Sequence, residues 1–361
     1  MKITPNQLIE GCILSVPIMG HTDTPIVKEN TVLNANHISA IKSFLVPIVE
    51  VESTLANGEK FKPQGIIYES NKEIKGEVKK EKKFIEIYNE AVKQYRKLYI
   101  EWQSGKKVEM IYVRKCLTPL FEYILDHPKE LLTIHHLSKV EEYIYHHSVS
   151  VGCLAAFIAK KLHYSKRDWL QVGIAGALCD AGMSKVPSKI LMKKGPLSKF
   201  EFNEIKKHPV HSYNMLKEVT GVSNAILLSV LQHHERIDRS GYPLRSDKKK
   251  LHTFSQVIAV ADVFHAMTSE RIYSKKQSPY DVLNHLCKDH FGRFEHRIIQ
   301  TFCESFSQLS IGARVRLKSG VQAEIIFFNN QRLNNPMLKL LHTGEIFELN
   351  EDQSLQIEVI V

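Results

Sequence analysis

The chain has 361 residues, of which 43% are hydrophobic, and this length accommodates about two to three soluble domains with a sizeable core. Its formal net charge of +10 favours an anionic partner, such as a nucleotide, a nucleic acid or a membrane surface. The six cysteines have no paired spacing, and neither a signal peptide nor an apolar run of ~20 residues is present, which excludes a disulfide-rich secreted scaffold and a membrane-spanning protein. We therefore expect a soluble, cytoplasmic protein.

Residues 1–60 are predicted to form a small α+β module. Short runs rich in β-branched residues predict strands at 13–18, 25–27 and 46–51. Apolar residues at helical spacing over 36–44 predict one helix, with Asn36 as its N-cap.

Residues 61–130 are predicted to form a helical connector. Lysines and glutamates interleave over 72–86, which indicates a solvated helix with i,i+4 ion pairs rather than a nucleic-acid surface. Specific nucleic-acid binding is therefore not expected. An apolar stripe over 84–102 and a similar one over 108–125 predict two long helices, each with one buried face. These helices either link the flanking modules or pair in a homodimer.

Residues 131–308 are predicted to form a helical domain, and most of the histidines lie in it. An almost wholly apolar helix over 169–178 runs directly towards Asp180. A buried carboxylate loses its hydration, so it must be paired with a cation or coordinate a metal ion. Asp180 is therefore a candidate metal ligand.

A histidine pair, His233 and His234, lies between an apolar helix at 225–231 and a rigid turn at 241–243. Two adjacent imidazoles cannot both point into the core from one helix face. A histidine at a helix end is often only a capping or core residue, so the pair taken alone leaves a metal site and a structural role open.

The order and spacing of these motifs over residues 136–305 resemble the HD-GYP domain family, the branch of HD metal-dependent phosphohydrolases that cleaves the bacterial messenger cyclic di-GMP. The family's metal-ligand positions fall on His147, Cys179, Asp180, His208, His233, His234 and Asp262. Among them, Asp180 is implied to be the bridging and catalytic carboxylate. The substrate-binding positions fall on Gly241, Tyr242, Pro243, Arg271 and Lys275, of which the last two match residues that contact substrate phosphates.

The resemblance implies a helical HD-type fold with two divalent metal ions, which would be iron, manganese or zinc. It also implies hydrolysis of cyclic di-GMP to the linear dinucleotide or to GMP. The chemistry of the matched residues agrees, because a set of imidazoles and carboxylates can surround two ions that activate a bridging water and stabilise charge on a phosphoryl group.

Two residues depart from the family's pattern. Cys179 stands where the family has the histidine of its His-Asp doublet, and a thiolate is a competent ligand that favours zinc. Met183 replaces a lysine, which removes a cation beside the substrate phosphate, and Lys185 could replace it only if the loop is re-aimed. The alternatives are a catalytically impaired protein that serves as a cyclic di-GMP receptor or protein-interaction module, and an HD phosphohydrolase for another nucleotide.

Residues 309–361 are predicted to form a β-rich module that packs on the protein or contacts a partner. Alternating segments predict a hairpin of 313–317 with 323–328 and further strands at 337–341 and 355–361. These strands could pair with those of the N-terminal module. The predicted fold class is mainly α, with a helical HD-type domain flanked by a small α+β module and a β-rich module.

Overall fold

A computed structural model describes residues 1–19, 25–43, 46, 48–61, 63, 78–138, 140–271, 276–288, 292–329, 332–349 and 356–360. The chain forms two compact units. One consists of Met1–Lys75 together with Ser307–Val361, and the other is Gly76–Phe306. The first unit is therefore interrupted in sequence by the second, which we call the helical unit.

Short antiparallel strand pairs and one helix form the N-terminal segment. Its elements are β1 (Lys2–Ile3), β2 (Ile18–Met19), β3 (Pro25–Val27), α1 (Ala35–Ser43) and β4 (Val49–Glu50), with β1 paired to β4 and β2 to β3. The predicted strand at 13–18 is largely wrong, because only Ile18 lies in a named strand, whereas Ile13 and Leu14 make isolated bridges. Pro17 lacks a backbone N–H, and this interrupts a continuous ladder.

The predicted N-cap of α1 is also wrong. Helix α1 begins at Ala35, and Oδ1 of Asn34 accepts the backbone N–H of His37 at 2.9 Å, which makes Asn34 the cap. The amide of Asn36 instead donates to the carbonyl of Ile346 at 3.3 Å. Asparagine is a favourable N-cap residue at both positions, but the side chain of Asn36 is engaged by Ile346, which is distant in sequence.

The helical unit follows the predicted series of amphipathic and buried helices. Its helices are α2 (Val78–Gln103), α3 (Met110–Asp126), α4 (Tyr143–Lys161), α5 (Lys166–Leu178), α6 (Ser188–Leu191), α7 (Lys199–Ile205), α8 (His208–Leu216), α9 (Asn224–Gln232), α10 (Thr253–Thr268), α11 (Pro279–Lys288) and α12 (His296–Ser310), the last of which ends beyond the unit's boundary. Helices α4 and α5 are buried along most of their length because they pack on each other and on α10. Helix α2 buries its predicted aromatic stripe against α3 and α4.

The C-terminal segment forms one antiparallel sheet. Its strands are β5 (Arg314–Leu317), β6 (Gln322–Asn329), β7 (Arg332–Leu340), β8 (Ile346–Glu348) and β9 (Ile357–Ile360), in the order β8-β7-β6-β5-β9. The predicted hairpin is confirmed, because β5 pairs with β6 and places Val315 opposite Ala323. In the part of the chain that the structure describes, no N-terminal strand joins this sheet. Ile326 and Ile346 instead belong to the same apolar core as the N-terminal residues Ile26 and Ile38.

The predicted fold class is confirmed: a mainly α chain in which the helical part follows a small α+β segment and precedes a β-rich segment in sequence. Among the described helices, none combines the length and the apolar character that crossing a bilayer requires.

Candidate metal centre

Five helices of the helical unit bring the predicted imidazole and carboxylate ligands together. His147 lies in α4, Asp180 follows α5 and caps the 3-10 helix Ala181–Lys185, His208 begins α8, His233 and His234 follow α9, and Asp262 lies in α10. The ligand atoms of Asp180, His208, His233 and His234 all lie within 4.8 Å of one another. Residues up to 115 positions apart therefore meet at one point, as the His147–Asp262 contact shows.

The Asp180 carboxylate lies between histidines that contact its two oxygens separately. Oδ1 is 3.0 Å from Nε2 of His208 and 3.6 Å from Nε2 of His233, whereas Oδ2 is 3.4 Å from Nε2 of His147. Burial opposes ionisation of this carboxyl, but its contacts with His208, His233 and His147 hold its pKa well below the usual range. Asp180 is therefore an anion that can hold a cation on each oxygen.

Asp262 extends the group on the His147 side. Its Oδ1 is 3.0 Å from Nε2 of His147, and its Oδ2 is 3.7 Å from Nδ1 of His234. His147 thus contacts two carboxylates, while His208 and His233 contact the other oxygen of Asp180. The arrangement consists of two adjacent ligand sets that share one carboxylate.

Backbone carbonyls fix the tautomers of two histidines. Nδ1 of His208 is 2.7 Å from the carbonyl oxygen of Ile205, and Nδ1 of His233 is 2.7 Å from that of Val230. A carbonyl only accepts, so each Nδ1 must carry the proton. Each Nε2 is then the ring nitrogen that faces the centre, where it could serve as a metal ligand.

His147 is positioned by two side chains that the sequence did not single out. Its Nδ1 is 3.1 Å from the hydroxyl of Tyr143 and 3.0 Å from Nδ1 of His265. His265 is fully buried, and it lies at none of the ligand positions that the family resemblance implies. Its position three residues after Asp262, on the same face of α10, was the available signal.

The turn that carries Asp180 touches α8 without space for a side chain. A Cβ on Gly182 would lie 2.2 Å from the carbonyl oxygen of His208 and 2.5 Å from the backbone nitrogen of Ser212. Oγ of Ser212 accepts the N–H of Gly182 and donates to the carbonyl of Cys179, both at 2.7 Å. Asp180 and His208 are thereby held at a fixed separation.

The segment after His234 is held by the buried carboxylate of Glu235. This carboxylate accepts the backbone N–H groups of Leu244, Arg245 and Ser246 at 2.5 to 3.0 Å. A Cβ on Gly241 would lie 2.3 Å from the carbonyl oxygen of His234, so only glycine fits where the loop returns. The turn thus places the Tyr242 ring in a stack on His234, with 4.7 Å between ring centroids.

We expect Glu235→Gln to destabilise the protein by about 3 kcal/mol, because the amide presents an NH2 group to backbone donors and leaves at least one of them unpaired. Thermal unfolding followed by circular dichroism measures the change. Glu204→Gln is the matched control, since Glu204 makes a surface ion pair with Lys207 that should contribute less than ~1 kcal/mol. Equal melting temperatures for the two variants would contradict the role given to Glu235.

A cavity of about 420 Å³ opens beside the ligand group. Its lining includes the ligands His147, Asp180, His208, His234 and Asp262, together with the turn residue Tyr242. Much of the remaining wall is apolar and comes from residues such as Met183, Ile190, Leu197 and Ile205. A cavity of this size and character suits a small organic ligand with a polar group directed at the ligand set.

The cations predicted to contact phosphate have different positions. Arg271 lines the cavity, and its Nε is buried without a hydrogen-bond partner among the described residues. Lys275 lies outside the described residues. Met183 lines the cavity where the family pattern has a lysine, and Lys185 does not replace that cation, because its ammonium donates to the carbonyl of Trp102 at 2.5 Å.

The structure does not bring Cys179 into the ligand group. Its thiol is buried in the helical unit and donates to the carbonyl of Gly176 at 3.0 Å, one turn earlier. Burial, and after it the nearby carboxylates of Asp180 and Asp262, raises the pKa of this thiol well above its usual range. In this geometry Cys179 resembles a small apolar core residue.

We therefore expect Cys179→Ala to retain the metal content of the parent protein after both are loaded with the same metal. Elemental analysis of metal per chain is the measurement. Cys153→Ala provides the control, since Cys153 is an equally buried thiol on α4 and its loss leaves a similar cavity. Loss of metal from Cys179→Ala alone would restore the prediction that the thiolate is a ligand.

Comparison with known proteins identifies relatives of this segment. Residues 131–294 match the family model of the HD domain. The chain is 29% identical over 247 residues to the cyclic di-GMP phosphodiesterase PA4108 of Pseudomonas aeruginosa. The matched region covers 68% of this chain and 59% of that relative. It is 30% identical over 203 residues to the 3'3'-cGAMP-specific phosphodiesterase 1 of Vibrio cholerae. That matched region covers 54% of this chain and 47% of the relative.

The solved structure of Bd1817, an HDG"Y"P protein from Bdellovibrio bacteriovorus, is similar in fold, with a TM-score of 0.50. The two chains are 13% identical, and the match covers 85% of this chain and 99% of that one. The chain spans less than two thirds of the length of the two curated relatives.

Proposed function

Since residues 131–294 match the family model of the HD domain, we propose that the protein is a metal-dependent phosphodiesterase of the HD-GYP type that hydrolyses cyclic di-GMP to the linear dinucleotide or to GMP. The observation that carries the proposal is the Asp180 carboxylate, whose two oxygens face different histidines at the wall of a cavity. The relative PA4108 is named a cyclic di-GMP phosphodiesterase, which supports this choice of substrate.

The donor set fits two divalent ions, which we propose to be iron, manganese or zinc. Imidazole nitrogens with fixed tautomers and ionised carboxylates are the ligands that such ions take in proteins. His147, Asp180 and Asp262 would hold one ion, and Asp180, His208 and His233 the other, with His234 beside both sets. Ions bound there would activate a water molecule and neutralise charge on the phosphoryl oxygens.

The remaining groups of the cavity would orient the substrate. Arg271 would pair with a phosphate oxygen, and its Nε, which has no hydrogen-bond partner among the described residues, would be a donor for that contact. Tyr242 and the apolar wall around Met183 would contact the nucleoside parts. Lys275 remains a predicted phosphate contact, and the cytoplasmic location and the homodimer remain predictions as well.

A second candidate function is binding of a cyclic dinucleotide without turnover, as a receptor or interaction module. It is favoured by Met183, which lines the cavity where the family pattern has a lysine. Lys185 does not supply the missing cation, because its ammonium donates to the carbonyl of Trp102. The relation to a 3'3'-cGAMP-specific enzyme adds a second cyclic dinucleotide to be tested as substrate.

The experiment compares both dinucleotides on metal-defined protein. Metal is removed with a chelator, and iron(II), manganese or zinc is restored separately before incubation with cyclic di-GMP or 3'3'-cGAMP. Chromatography then follows the linear dinucleotide and mononucleotide products. Hydrolysis that requires restored metal supports the phosphodiesterase, whereas binding without products under every metal supports the receptor.

A further inference from the structure

Helix α2 contributes to the cavity although it lies before the segment that matches the HD domain. Tyr99 and Gln103 of α2 both line the cavity, and their spacing of four residues puts them on one face of the helix. The last turns of α2 therefore form a wall of the site. Neither residue belongs to a predicted motif.

The hydroxyl of Tyr99 has no hydrogen-bond partner among the described residues, and its oxygen is buried. The side chain is only 1% exposed, and its ring is fixed edge-on against Tyr145 with 5.3 Å between centroids. Native proteins pair nearly all buried polar atoms, because an unpaired one forfeits its hydration. Because Tyr99 lines the cavity, a ligand bound there is the candidate hydrogen-bond partner of its hydroxyl.

Tyr95 shows that a buried hydroxyl without a hydrogen-bond partner among the described residues is not general for the tyrosines of α2. It lies one turn earlier and is equally buried, but its hydroxyl donates to the carbonyl of Ala177 at 2.6 Å, and it does not line the cavity. The two tyrosines thus differ in what their hydroxyls contact. The Tyr95 hydroxyl joins α2 to the carbonyl of Ala177 on α5, whereas Tyr99 lines the cavity and its buried hydroxyl has no hydrogen-bond partner among the described residues.

Tyr99 is suited to donate rather than to accept. Burial, and after it the charge of Asp180, raises the pKa of Tyr99 far above neutrality, so the hydroxyl keeps its proton. Tyr99 and Asp180 line the same cavity, so a phosphate held at Asp180 would lie in the cavity that Tyr99 lines. A phosphodiester oxygen is the acceptor that fits this position.

We propose that Tyr99 is a substrate-binding residue whose hydroxyl donates a hydrogen bond to a phosphodiester oxygen of the bound cyclic dinucleotide. This inference rests on the proposed function. It assigns part of the substrate site to a helix outside residues 131–294.

The test is Tyr99→Phe, with Tyr95→Phe as the matched control. Loss of a hydrogen bond to a charged group should lower kcat/KM for cyclic di-GMP by roughly 10- to 100-fold. Metal per chain should not change, and the melting temperature should not fall, because the lost hydroxyl has no hydrogen-bond partner in the part of the protein that the structure describes. Tyr95→Phe should show the reverse: a lower melting temperature, with kcat/KM within about twofold of the parent's.

Several outcomes would overturn the inference. An active parent whose kcat/KM is unchanged in Tyr99→Phe excludes the contact, and a variant that loses metal or stability assigns the hydroxyl a structural role. If the parent does not hydrolyse cyclic di-GMP, the proposed function fails, and calorimetric binding decides the inference separately. Weaker binding by Tyr99→Phe than by the parent supports the contact, whereas equal binding, or no binding by the parent, overturns it.

Discussion

Asp180→Asn should strongly reduce metal binding and hydrolysis together. The asparagine keeps the shape of the side chain but replaces one anionic oxygen with an amide NH2 group, which cannot serve as a ligand. Each oxygen of Asp180 faces a different set of histidines, so both halves of the site are affected by one substitution. We expect metal per chain to fall below half of the parent's value and activity to fall by at least ~1000-fold.

Elemental analysis and product chromatography measure the two effects on the same preparation. Asp247→Asn is the control, since Asp247 is a half-buried carboxylate outside the cavity lining that pairs with Arg239 and caps the 3-10 helix Lys248–Lys250. This variant should keep the parent's metal and activity. Full metal content in Asp180→Asn would exclude Asp180 as the shared ligand.

Gly182→Ala should unfold or displace the turn that carries Asp180. The new methyl group would meet the backbone of His208 and Ser212, and backbone atoms cannot move aside as the end of a flexible side chain can. We expect a loss of about 3 kcal/mol or more, which lowers the melting temperature by roughly 6 to 12 °C. Metal binding should weaken as well, because Asp180 and His208 flank the contact.

Thermal unfolding and metal analysis test this prediction. Gly221→Ala serves as the control, because an added Cβ there approaches nothing closer than 3.9 Å, and only the strain of its positive φ of 86° should appear. That strain should cost about 1 kcal/mol. A Gly182→Ala variant as stable as Gly221→Ala would show that the turn can move away from α8.

Asp180, His233 and His234 could be singled out from the residues alone because each is a polar residue at the end of an apolar helix, whereas His147, His208 and Asp262 were predicted only from the resemblance to the HD-GYP family. A carboxylate after a buried helix needs a cation or a metal ion as its partner, whereas the two adjacent histidines before a glycine turn alone left a metal site and a structural role open. The helices themselves were predictable for the same reason, since their apolar periodicity is strong.

The sequence could not show which atom each side chain contacts. Cys179 lies beside Asp180 in the chain, yet its sulfur turns back to Gly176, because adjacent residues on a helical turn point in different directions. Lys185 could not be excluded as a phosphate contact until its ammonium was seen to contact Trp102. His265 and Tyr99 were missed because their roles depend on contacts distant in sequence.

The division of one compact unit between the two ends of the chain affects how the protein is made. Ile26 and Ile38 are synthesised early, but their core partners Ile326 and Ile346 follow about 300 positions later. At about 5 to 20 residues per second, this interval lasts roughly 15 to 60 s. The helical unit is continuous in sequence and can fold during that time, whereas the N-terminal segment must wait with apolar side chains exposed to chaperones and proteases.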